Sequence, residues 1–84
     1  MNITVLSPDK ELFNGEITGV KVPGIGGQFE ILNNHAAIVS SLGEGNIKIT
    51  KAGGEIMTFT IDKGFVEVLH NEVSLLVQGI GGLD

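Results

Sequence analysis

Asn46-Ile47-Lys48-Ile49-Thr50-Lys51 is the stretch on which the fold of this 84-residue chain turns. Ile47 and Ile49 point one way and Lys48 and Thr50 the other, the period of two that marks an antiparallel strand with one face buried and one in water. Gly53-Gly54 follow, two positions that tolerate φ > 0. Beyond them Met57, Phe59 and Ile61 alternate with Thr58 and Thr60, so the segment predicts a hairpin. Asp62-Lys63-Gly64 turns the chain into Phe65-Val66-Glu67-Val68-Leu69, and His70-Asn71-Glu72 turns it again into Val73-Ser74-Leu75-Leu76-Val77. The spacing predicts a meander of three strands.

Upstream the pattern is less even. Ile3 to Leu6 reads as a strand, Ser7-Pro8-Asp9-Lys10 as a turn, and Leu12 to Val22 as a long apolar-polar stretch whose parity slips. Ile17 sits on odd numbers and Val20 and Val22 on even ones, which a β-bulge at or near Gly19 reconciles. A proline and three glycines predict a loop over Pro23-Gly24-Ile25-Gly26-Gly27. Phe29 and Ile31 alternate with Gln28 and Glu30 as a further strand before Asn33-Asn34-His35. Ala36 to Ser40 is compatible with a strand or a short helix, its neighbours favouring a strand, and is closed by Gly43-Glu44-Gly45; no helical period of convincing length occurs. About eight short strands at this spacing specify an all-β sandwich or barrel, in one domain over residues 1–84.

Composition narrows the function. Hydrophobic residues at 42% against 18% charged exclude a disordered chain. With 13 Gly and no Tyr or Trp, the core falls to Ile, Val and Leu between tight turns. Absence of Cys leaves no disulfide framework and no thiolate chemistry, so a cytoplasmic setting is expected. No apolar run approaches the ~20 residues that cross a bilayer, and direct membrane insertion is not expected. A formal net charge of -5 and a pI near 4.8 disfavour nucleic acid as a partner.

Catalytic constellations are missing. Ser7, Ser40, Ser41 and Ser74 occupy turn or strand contexts, and no Gly-x-Ser-x-Gly elbow exists. His35 and His70 stand 35 positions apart, without a second ligand at metal-binding spacing, so no metal and no cofactor are expected. Gly24-Ile25-Gly26-Gly27 leads into a strand, not a helix N-terminus, and Glu30 would repel phosphate; a tight turn is the reading. His35 reads either as an exposed turn histidine or as a contact residue in an interface made flat by Ala36 and Ala37, and His70 as an exposed turn residue.

The run Ser7-Pro8-Asp9-Lys10-Glu11-Leu12-Phe13-Asn14-Gly15-Glu16-Ile17, then Val22-Pro23-Gly24 and Gly27-Gln28-Phe29-Glu30-Ile31-Leu32-Asn33-Asn34-His35-Ala36, resembles the N-terminal domain of ATP synthase epsilon subunits. Gly45-Asn46-Ile47-Lys48-Ile49 and Gly64-Phe65-Val66-Glu67-Val68 continue the likeness in order, so that almost the whole chain is covered.

The resemblance implies a flattened antiparallel β-sandwich of about 8–10 short strands on the central stalk of a proton-translocating ATP synthase, without catalytic activity of its own. One face would bind the gamma subunit, through Ser7, His35, Ala36 and Ser40. One end would meet the c-subunit ring through Gly26, Gly27, Gln28 and Glu30, while Lys63 would lie off the gamma face. The protein would then be peripheral on the cytoplasmic face of the energy-transducing membrane. Four positions depart from the family's usual pattern: Gln28 where an acid is common, Glu30 in place of glycine, and Asn33 and Ala37 in place of prolines. Family members commonly continue into a two-helix hairpin that in some of them inhibits hydrolysis or binds ATP. Gly79 to Asp84 hold no helix-forming run, so neither braking nor nucleotide binding is expected of these residues. The competing reading is a free-standing small binding module, against which the lack of Tyr and Trp counts. For a sandwich, the core is expected to include Val5, Phe13, Val20, Val22, Phe29, Ile31, Ile47, Ile49, Phe59 and Leu75.

Overall fold

The computed structural model describes residues 1–83 as eight strands: β1 (Asn2–Leu6), β2 (Glu11–Gly24), β3 (Gly27–Leu32), β4 (Ile38–Leu42), β5 (Gly45–Lys51), β6 (Ile56–Ile61), β7 (Lys63–Leu69) and β8 (Glu72–Gln78). Their buried side chains meet in one cluster that includes Ile3, Val5, Val20, Val22, Ile31, Ile47, Ile49, Val66 and Leu75. Each strand shows one face to that cluster and the other to solvent, so the strands stack as two layers of an all-β sandwich. One layer runs β1-β8-β7-β4, the other β3-β2-β5-β6, and β2 also pairs with β1.

Fourteen residues of β2 serve both layers. Its first half pairs with β1, from Asn2↔Glu16 to Leu6↔Glu11, and its second half with β3 and β5. Register shifts between Ile17 and Gly19, where Gly19 and Val20 are buried in succession. The bulge foreseen near Gly19 is thus the bend by which a single strand passes between layers.

Elsewhere the structure corrects the sequence reading. Pro23 and Gly24 stay in the ladder, opposite Gln28 and Gly27, so the loop over 23–27 shrinks to a two-residue hairpin at Ile25-Gly26. Gly27, at φ 133°, supplies the backbone that L side chains avoid. The fourth strand starts at Ile38, not Ala36, because Asn34 takes φ 65° and the His35 N–H donates to the Leu32 carbonyl at 3.1 Å, holding Ala36 and Ala37 in the connection. No three-stranded meander forms: β6 and β7 do not pair, since the chain bends at Asp62 into the opposite layer and leaves two separate hairpins. β1 runs antiparallel to β2 but parallel to β8, one parallel pair in an otherwise antiparallel sandwich.

Eight of the ten expected core residues are buried. Phe13 and Phe29 are only partly so, because each lies at a layer margin: Phe13 packs against Gly15 beneath the Lys51 ammonium, 4.8 Å from the ring centroid, and Phe29 covers Gly24. Met1, Ile3, Ile17, Leu42, Ile61, Val66, Val68, Val73 and Val77 complete the core.

Candidate functional site

The two layers turn different outer faces to solvent. On the β3-β2-β5-β6 layer the outward positions are mostly polar, with Thr18, Gln28, Glu30, Asn46, Lys48, Thr58 and Thr60 exposed. Leu32 and Ile56 interrupt this only at strand ends. On the β1-β8-β7-β4 layer, Val39, Phe65, Leu69 and Leu76 stand 59, 41, 50 and 48% exposed. Cross-strand register arranges them in rows. Ser41, Phe65, Leu76 and Leu6 form one; Val39, Glu67, Ser74 and Thr4 the next; Leu69, Glu72 and Asn2 the last. Phe65, Leu76 and Leu6 adjoin directly, while Glu67, Ser74 and Thr4 separate that row from Leu69, so the face carries one short apolar row with Val39 and Leu69 beyond it, against none on the other layer.

Three shallow recesses follow this layer. One of about 450 Å³ is lined by Leu6, Ser7, Pro8, Lys63, Phe65 and Leu76, among others. A second lies among Ala37, Val39, Glu67 and Leu69, and a third among Asn34, His35, Leu69, His70 and Asn71. The third brings together the two histidines that stand 35 positions apart in sequence.

Ser7, His35, Ala36 and Ser40 do not form one compact cluster. Ser7 follows the end of β1, where its hydroxyl lies 3.0 Å from Asp9 Oδ1 and 3.1 Å from the Lys10 carbonyl oxygen. His35 and Ala36 sit at the opposite end of the layer, about 17 Å away by the rise of a five-residue strand. That end is held by a clamp. The Asn34 N–H donates to Asn71 Oδ1 at 2.7 Å, Asn71 Nδ2 donates to Asn34 Oδ1 at 3.1 Å, and the Asn2 N–H donates to the Asn71 carbonyl at 3.0 Å. Asn33 Oδ1 accepts from the Met1 ammonium at 3.0 Å, pinning the same loop to the start of β1. His35 Nδ1 lies 2.8 Å from the Ala36 carbonyl oxygen. Ser40 pairs opposite the buried Val66, so it points toward the inner side of the β4 edge and the outward residues there are Val39 and Ser41. The apolar face lies between the His35 end and the Ser7 end. Lys63, expected off this face, lines the same recess as Ser7.

Gly26 and Gly27 are exposed at the β2–β3 hairpin tip, with Gln28 next to them and Glu30 further along the polar outer face, opposite Lys21. The tip is fastened to β4: the Ile25 N–H donates to the Ser41 carbonyl at 3.2 Å and the Gly43 N–H to the Pro23 carbonyl at 2.9 Å. Ile25 itself is 73% exposed. Because Leu42 pairs with Gly64 and Leu6 with Leu76, the tip and Ser7 share one end of the sandwich.

Val39, Phe65, Leu69 and Leu76 were missed as site residues, although their signal is present. In Phe65-Val66-Glu67-Val68-Leu69 and Ser74-Leu75-Leu76-Val77 both parities are rich in apolar residues, which is the pattern of strands covered on both faces. Among the described residues no group of three His, Asp or Glu side chains is placed to hold a metal ion. What the arrangement offers chemically is apolar area and a few charges.

Residues 1–81 match the family model described as ATP synthase, Delta/Epsilon chain, beta-sandwich domain. The ATP synthase epsilon chain of Leptospira borgpetersenii is 43% identical over 78 residues, 93% of this chain and 61% of that relative. The ATP synthase epsilon chain of Chlorobium limicola is 32% identical over 78 residues, 93% of this chain and 89% of that relative. The chain thus spans about 61% of the Leptospira relative's length. Among solved structures, a chain of the Euglena gracilis mitochondrial ATP synthase OSCP/F1/c-ring assembly superposes with a TM-score of 0.85 at 20% identity, over 93% of this chain and 50% of that one. At that identity the likeness is one of fold.

Proposed function

The chain belongs to the ATP synthase delta/epsilon β-sandwich family, and from that premise we propose that it acts as a non-catalytic central-stalk subunit of a rotary, proton-translocating ATP synthase. In this role it holds the gamma subunit against one face and touches the c-subunit ring with one end, so that rotation of the ring is passed on without slip. It is peripheral to the energy-transducing membrane, on the cytoplasmic side, and uses no cofactor, metal or nucleotide.

The observation that carries the reading is the asymmetry of the two outer faces. A free-standing soluble sandwich gains nothing from leaving Val39, Phe65, Leu69 and Leu76 in water on one side, whereas a subunit clamped to a neighbour regains that area on assembly. Ser7 and His35 lie at the two ends of this face, and the Gly26-Gly27 tip lies at the Ser7 end. One face toward gamma and one end toward the ring is therefore a geometry that these residues can satisfy together.

The test is to affinity-tag the chain in its source cell, purify what comes with it, and measure proton-driven ATP synthesis in membranes depleted of it. Co-purification of gamma and c subunits, with synthesis lost on depletion and restored by adding the chain back, is expected. Recovery of the chain free of both, with synthesis unchanged on depletion, overturns the reading.

A further inference from the structure

We infer that His35 and His70 together form a two-imidazole site for a divalent transition-metal ion of the zinc, nickel or copper class, with water filling the ion's remaining positions. The rotor role proposed above neither needs the ion nor supplies the case for it. Spacing along the chain hides the pair, and the fold assembles it. His35 lies in the connection between β3 and β4 and His70 in the two-residue turn between β7 and β8, and both line one recess of about 440 Å³ with Ala37 and Leu69. Asn34, just before His35, and Asn71, just after His70, are joined by hydrogen bonds of 2.7 and 3.1 Å, so the two imidazoles are carried by residues fastened to each other.

The chemistry of each ring suits a metal. A carbonyl oxygen can only accept, so the 2.8 Å approach of His35 Nδ1 to the Ala36 carbonyl puts the proton on Nδ1 and leaves the lone pair of the neutral ring on Nε2. Holding one ring nitrogen on a backbone carbonyl while the other coordinates is how proteins orient metal-bound histidine. On the facing turn two left-handed residues follow each other, His70 at φ 51° and Asn71 at φ 62°. This is the type I′ hairpin geometry, and it fixes the direction in which the His70 side chain leaves the backbone. Imidazole nitrogen selects zinc, nickel or copper over calcium and magnesium, which take oxygen ligands. No third His or carboxylate joins the pair among the described residues, so the ion keeps water ligands and binds more weakly than in a closed four-ligand centre. A formal net charge of -5 favours its approach. Bound there, the ion ties the β3–β4 connection to the β7–β8 turn beside the Asn34–Asn71 bonds.

The experiment titrates Zn²⁺ and, separately, Ni²⁺ into the full chain by calorimetry, then repeats both with His35→Gln and His70→Asn. Asparagine is chosen at position 70 because it tolerates the left-handed backbone, and urea unfolding checks that each variant is folded. One ion per chain is expected in the wild type, and no binding of Mg²⁺. Loss of an outer-shell partner already costs about 10- to 100-fold in metal affinity, so loss of either imidazole should cost at least about tenfold. Zn²⁺ should also raise the urea midpoint of the wild type and leave that of either variant in place. If His35→Gln is unfolded, His70→Asn, in an exposed turn, decides by itself. A wild type that takes up neither ion, or an affinity that the folded variants keep, overturns the site. So does metal-dependent dimerisation in sedimentation with half an ion per chain, which would mean that each copy gives only one histidine.

Discussion

Asn71 is where a single substitution tests the local physics most sharply, because two separable effects meet there. The residue takes φ 62°, in the left-handed region, and its side chain makes two hydrogen bonds to Asn34, at 2.7 and 3.1 Å. Asn71→Gly removes the bonds and keeps the conformation easy. Asn71→Ala removes the bonds and adds the crowding that an L side chain suffers there. Two bonds between partly exposed groups are worth about 0.5–1.5 kcal/mol each, so Asn71→Gly should cost about 1–3 kcal/mol. Left-handed alanine costs roughly 1–2 kcal/mol. Glycine's extra freedom in the unfolded chain offsets about 0.4–1 kcal/mol of that difference. Alanine should therefore be the worse variant by a few tenths to about 1.5 kcal/mol. Urea unfolding followed by circular dichroism measures this directly, and with a slope near 1 kcal/mol per molar for so small a protein the midpoints should fall by about 1–3 M. Alanine equal to or more stable than glycine would refute the left-handed argument, and wild-type stability in both would refute the clamp.

Three further outcomes are expected. Ile49→Ala, at a fully buried site, should cost about 2–5 kcal/mol in the same unfolding assay, whereas Lys48→Ala next to it should stay within about 0.5 kcal/mol. At Gly64 an added Cβ would lie 2.5 Å from the Leu76 carbonyl oxygen, so Gly64→Ala should lose about 1–3 kcal/mol in thermal unfolding; Gly53→Ala, which opens onto free space, should be neutral or slightly stabilising. His35→Glu should weaken the complex with the gamma subunit by roughly 1–3 kcal/mol, measured calorimetrically, since it places a charge beside Ala37 and Leu69 at an end that binding would desolvate.

Local rules made most of the fold legible. The 3.4 Å, side-alternating geometry of a strand imprints itself on residues 46–51, 56–61 and 73–77, and the parity slip at Gly19 announces a bulge because two buried neighbours cannot otherwise share one strand. What escaped was set by long-range pairing. Nothing between Ile61 and Lys63 says that β6 and β7 part company, because a bend that changes layer and a turn that closes a hairpin use the same polar residue types. Pro23 and Gly24 read as a loop on their own, yet Gln28 and Gly27 hold them in a ladder. The candidate face escaped for a related reason. Outward Phe65 and Leu76 are 11 positions apart in sequence and become one row only when β7 and β8 register. His35 and His70 likewise converge only through the Asn34–Asn71 clamp.

Placement in the assembled motor tests the central claim most directly. An ATP synthase purified through a tag on this chain and imaged by cryo-electron microscopy should place the Phe65–Leu76 face against the gamma subunit, the Gly26-Gly27 tip nearest the c ring, and Lys48 toward solvent. A map with the Lys48 face on gamma, or an intact synthase from which the chain is absent, would contradict the account.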